Sequence, residues 1–195
     1  RGLRNAIGNW YNGKEAKDLF DSARQYELAS RDLVIAGTDT GVGYKYENQD
    51  RVAISPKENF FAVVDGMGGP VGGEQAAEIL ANSLLGKIND SELACAEAIE
   101  EMSTAGVERG GGAVFASAQI VTVGGAKFLN ISSWGDVGVV IFGQDKSVKF
   151  ELGDDSVVGM LVKNGALTED EALYSSHRNI VSTAVSQKHK NEKPK

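Results

Sequence analysis

Apolar residues change their rhythm at Leu33. Before it, Ala16, Leu19, Phe20 and Ala23 fall three and four apart, the spacing of one helix face, which predicts a helix over Lys14–Leu28. From Leu33 onward, short apolar runs punctuated by glycine predict strands: LVIAG at 33, RVAIS at 51, FFAVV at 60, AVFASAQIVTV at 113, AKFLNISSW at 126, VGVVIF at 137 and VKFEL at 148. Gly124-Gly125 between two of them is a hairpin signal, and GQDKS at 143–147 another turn. Helices are predicted over Glu74–Ile88, where Ala76, Leu80 and Leu84 recur every fourth position, and over Glu92–Met102. Two more follow at Ser156–Asn164 and Thr168–Leu173, with Gly165 as a stop and Thr168 to Glu171 as a capping box.

Strands, then two helices, then an antiparallel block argue an α+β fold instead of a βαβ repeat. The organisation expected is a helical appendage at 1–32, one domain at 33–185, and a frayed basic tail at 186–195. With 195 residues the chain is long enough for one sizeable core.

Composition adds exclusions. Charged residues make up 24% and apolar ones 42%, and no apolar run reaches the ~20 residues of a membrane span, so a soluble domain is expected. A net charge of -7 carries no electrostatic footprint for nucleic acid or an anionic membrane. The lone Cys95, in LACAEAI, reads as a small buried hydrophobe and cannot form a disulfide within the chain, which fits a reducing, cytoplasmic setting.

The chemistry concentrates at FFAVVDGMGGPVGGEQAAEIL, where an apolar run ends on Asp65 and glycines follow. Three readings compete. A phosphate cradle lacks the Gly-Lys-Ser/Thr ending and carries a carboxylate that would repel its ligand. A tight strand-to-helix turn, with Asp65 capping backbone, needs no ligand at all. A site for a hard divalent cation would use carboxylates together with a backbone carbonyl brought close by glycine. Asp39 in a turn, Asp50 before a strand and Asp136 between two strands are further carboxylates at strand boundaries of the same domain.

The segments TDTG…ENQDRV, FFAVVDGMGGPVGGEQAAE, WGDVGVVIF and DDSVVGMLVKNGALTEDEAL…HRNIV closely resemble, in order and spacing, the metal-dependent protein serine/threonine phosphatases of the PPM or type 2C family, in their bacterial form. The resemblance runs from about Leu33 to Val185. It implies a four-layer α-β-β-α sandwich of two antiparallel sheets flanked by helices, C-terminally incomplete because the family's later Ser-Asp-Gly and Asp-Asn ligands have no counterpart. It further implies a centre of two Mn²⁺ or Mg²⁺ ions bridged by the aspartate matching Asp65, with the Gly66 carbonyl and Gln49-Asp50 completing it. The residue matching Asp136 would help hold a third, weaker ion, and Lys45 is the nearest candidate for substrate phosphate. Gly135-Asp136-Val137-Gly138 stands where relatives have Gly-Asp-Ser-Arg, and the stretch from Asp155 to about Ser176 resembles a mobile flap. The implied reaction is hydrolysis of phosphoserine or phosphothreonine in a phosphoprotein substrate by a metal-bridging hydroxide, with no side-chain nucleophile. The alternative is a pseudophosphatase that binds a phosphoprotein or signalling partner without turning it over.

Overall fold

The computed structural model describes residues 24–39, 48–69, 72–107, 110–152, 155–178, 180–192 and 194. Its centre is a four-stranded antiparallel sheet of β3 (Arg51–Ser55), β4 (Phe60–Met67), β5 (Gly112–Val123) and β6 (Ala126–Trp134), paired in chain order. Between β4 and β5 the chain forms α1 (Gly72–Gly86) and α2 (Ser91–Thr104). Phe60, Ala62 and Val64 alternate along β4 and are buried, as a half-covered strand requires. They join one core with Ala76, Ala77, Leu80 and Leu84 of α1 and with Ala113 and Phe115 of β5. The small residues of α1 let that helix lie close on the sheet. Through Ala94, Cys95, Ala98 and Met102, α2 extends this core, and Asp90 caps its first turn by accepting from the Leu93 N–H at 3.0 Å. Trp134, at the end of β6, is a core residue.

The antiparallel α+β class and all seven expected strands are present. Beyond the four-stranded sheet, the described strands form two hairpins: β1 (Arg24–Glu27) with β2 (Leu33–Ala36), and β7 (Val139–Phe142) with β8 (Val148–Leu152). Two short helices, α3 (Val157–Lys163) and α4 (Glu169–Tyr174), follow, capped by Ser156 and by the Thr168–Glu171 capping box. They cover the flap-like stretch, and between them only Val158 is buried. Among the described residues, no helix is long and apolar enough to cross a membrane.

Two expectations are corrected. The helix predicted over Lys14–Leu28 lies mostly outside the described residues, but its last part is the strand β1, paired with β2 from Arg24↔Ala36 to Glu27↔Leu33. The run LVIA offers an open edge, and pairing with it satisfies the backbone of both segments more fully than one terminal helical turn could. Residues 186–195, expected to fray, begin with a 3₁₀ turn at Gln187–His189 that packs against α2. The anchor is Val185, fully buried and hydrogen-bonded both ways to Ala113 at 2.9 and 3.1 Å.

Candidate functional site

Asp65 stands near the end of β4, opposite Val114 of β5, on the face turned away from the helices. The next residue, Gly66, is buried where two segments meet. A Cβ there would clash with the Gly73 carbonyl at the start of α1 and lie 3.0 Å from the Gln49 carbonyl of the acidic turn. Glycine is therefore required by close approach, and the contact brings Asn48-Gln49-Asp50 against the β4–α1 connection. Gln49 Nε2 ties the two together by donating to the Gly69 carbonyl at 2.7 Å. Asn48 fixes the turn from both sides: its Nδ2 donates to Thr38 Oγ1 at 2.6 Å, and its Oδ1 accepts from the Asp50 N–H at 2.9 Å.

Arg51 locks this turn onto α1. Its Nη1 donates to the carbonyls of Asn48 and Asp50, both at 3.0 Å, while Nη2 reaches Glu74 and Nε reaches Glu78, both at 2.7 Å. The fork geometry of guanidinium makes such a four-way clamp available to arginine alone. Sequence reasoning missed these three residues as a unit. The available signal was a basic residue directly after Asp50 and two glutamates four apart at the start of a predicted helix.

The carboxylates interact. Burial among surrounding atoms, the charges of Asp50 and Asp136, and a hydrogen bond with Asp50 together push Asp65 up to about 6. By surface area Asp65 is exposed, so the neighbouring carboxylates are the firmer part of that cause. Asp50 is raised as well, by burial, with the Asp65 hydrogen bond and the Arg51 charge acting against it. Asp136 follows β6 through Gly135, whose φ of +99° and close fit against Val114 leave no room for a side chain. The structure thus brings Asp50 and Asp65 close enough for each to act on the other's ionisation, sets Gly66 next to Asp65, and leaves Asp136 within range of its charge. Asp39 follows β2 and is exposed. Lys45 lies outside the described residues.

Two neighbouring acids with a third negative charge nearby form a crowded arrangement that a cation would relieve. Among the described residues, no three His, Cys, Asp or Glu side chains converge to cage a metal ion. The donor set suits a hard divalent cation held by one or two carboxylates and otherwise by water, the usual manner of Mg²⁺. Cys95 is no alternative centre, since it is buried in α2, with its thiol pushed up to about 12 by burial and by the charge of Glu92.

No protein-family model matches the chain, and no curated protein matches it. Solved structures do. The serine/threonine phosphatase Stp1 from Staphylococcus aureus superposes with a TM-score of 0.66, covering 89% of this chain and 68% of that one at 19% identity. The fold is that of a serine/threonine phosphatase. PstP/Ppp from Mycobacterium tuberculosis shares the phosphatase fold with a TM-score of 0.60, 20% identity and coverage of 89% and 70%. The catalytic domain of PstP in complex with two manganese ions gives 0.60, 19%, 89% and 69%. The fold expected from the NQD, DGMGG and WGD segments is borne out, over 68–70% of these solved chains.

Proposed function

We propose that this chain is a divalent-metal-dependent phosphatase acting on phosphoserine or phosphothreonine in proteins. The observation that carries the reading is the contact of Asp50 with Asp65 at the glycine-tight junction of two segments, on a fold shared with serine/threonine phosphatases. Asp65 and Asp50 would hold the cation, the Gly66 backbone would lie beside it, and Asp136 would add negative charge. When bound, a divalent cation supplies charge neutralisation for the phosphate ester and acidifies water for hydrolysis. The chain's own part is orientation: Arg51 and Asn48 hold Asp50, and Gly66 lets the acidic turn approach Asp65. No described cysteine is placed to attack phosphorus, because Cys95 is buried and held as the thiol. The reading is therefore direct hydrolysis by water, without a phosphoenzyme.

The second reading is a phosphoprotein-binding module without turnover. The absence of a third converging ligand among the described residues favours it. Phosphate release from a phosphothreonine peptide, measured with and without Mn²⁺ for this chain and for Asp65→Asn, separates the two. Mn²⁺-dependent release that the substitution abolishes supports the enzyme. Peptide binding without release in either protein supports the binding module.

A further inference from the structure

The β1–β2 hairpin and the acidic turn line an open cleft of about 430 Å³ beside Asp50. Arg24 and Tyr26 share one face of β1 by the two-residue alternation of strands, and Ala36 lies opposite Arg24 in the register. These three form one wall of the cleft; Asp50, Arg51 and Val52 form the other. The hairpin is held in place at both ends. At its closed end Ala29 N–H donates to the Pro56 carbonyl at 2.8 Å, Ser30 N–H to Asn59 Oδ1 at 2.7 Å, and Lys127 pairs with Asp32 at 2.7 Å. At its open end Asn48 bonds Thr38. The hairpin that lines the cleft is therefore tied to the rest of the domain at both ends.

The charges lining it differ in one respect. Arg51 is offset by Glu74 and Glu78, whereas among the described residues no carboxylate pairs with the Arg24 guanidinium. In a chain of net charge -7, a dianionic phosphate is repelled at a distance, and a guanidinium at the site offsets part of that repulsion. We propose that this cleft takes the phosphorylated side chain of a protein substrate, with Arg24 as its phosphate-binding residue. Tyr26 and Ala36 on one side and Val52 on the other offer apolar contact to the side-chain stem, which a free phosphate ion cannot use. Asp50 on the opposite wall repels the same phosphate until its charge is neutralised, so binding here depends on a divalent cation. The inference rests on the reading that the Asp50–Asp65 turn handles phosphoproteins, and it goes further in naming where the phosphate sits and which residue holds it.

The test uses fluorescence anisotropy with the full chain, saturating Mn²⁺, and two labelled peptides. One carries a non-hydrolysable phosphonate in place of phosphothreonine, and the other carries threonine. The expected result is that wild type prefers the phosphonate peptide, and that Arg24→Ala weakens that binding by about tenfold while leaving the threonine peptide unaffected, the scale of one charge-assisted contact. Arg24→Lys should recover part of the loss, and Mn²⁺ affinity, titrated separately by calorimetry, should not change. If wild type prefers the phosphonate peptide and Arg24→Ala binds it equally well, the site is overturned while the phosphatase reading stands. If wild type binds both peptides alike, the phosphatase reading falls, and this site with it.

Discussion

Arg51 holds Glu74 at 2.7 Å, which ties the acidic turn to the first turn of α1. The same guanidinium donates to the Asp50 carbonyl, which places a positioning residue directly behind a proposed metal ligand. Arg51→Ala is expected to weaken Mn²⁺ binding about tenfold or more, the usual effect of losing an outer-shell partner. Because the ion pairs are partly exposed, the accompanying loss of stability should be near 1 kcal/mol. Arg51→Lys keeps the charge without the fork and should rescue little. Calorimetric Mn²⁺ titrations beside thermal melts check this: a lowered melting temperature with unchanged Mn²⁺ affinity would confine Arg51 to the fold.

Gly66 has no space for a methyl group, since both the Gly73 and Gln49 carbonyls stand where it would go. Gly66→Ala should therefore destabilise by roughly 2 kcal/mol or more, in the range of overpacking substitutions. Gly86, at the end of α1, is the contrast, because a Cβ added there would meet nothing within 4 Å. Gly86→Ala should be neutral or stabilise by up to about 1 kcal/mol. Urea denaturation of the two variants decides it, and equal midpoints would refute the close-packing account.

For Asp65 the folded pKa, about 6, lies above its ordinary 3.8, so folding favours the protonated form. Its ionisation then opposes folding as pH rises from about 4 through 6 and levels off above. The chelator-treated chain should melt at a higher temperature at pH 5.5 than at pH 7.5, and Asp65→Asn should flatten that slope. A wild-type melting temperature that is level or rises over this interval would contradict the crowding of the three aspartates.

Cys95 should resist alkylation. Its burial and raised pKa leave almost no thiolate at pH 8, so iodoacetamide labelling should proceed only in denaturant. Rapid labelling of the native chain, followed by mass spectrometry, would show that α2 opens far more readily than its packing implies.

How much of this was legible beforehand depended on range. The strands announced themselves as short runs rich in β-branched and aromatic residues between glycines and turns, and α3 and α4 because Ser156 and Thr168 cap them locally. The acidic turn and Asp65 were legible as a pattern, since glycine beside a carboxylate carries its own chemistry. β1 was not, because RQYE has no strand signature and owes its form to pairing with LVIA six residues on. Nor was the Arg51 clamp, whose partners are separated from it by two strands' worth of chain. The cleft beside Arg24 depended on that same unforeseen hairpin.

The bridge between Ala113 and Val185 also bears on how the molecule is assembled. β6 leaves the edge of β5 at Trp134, opposite Phe115, and Val185 takes over the vacated lane beside Ala113. A pairing of such sequence separation forms late, after the loop-closure entropy has been met. Until it does, the backbone of β5 around Ala113 is an open template for strand addition by another chain. A newly made copy is therefore most prone to aggregate in the interval before Val185 docks, and a lesion at that valine should appear first as inclusion bodies.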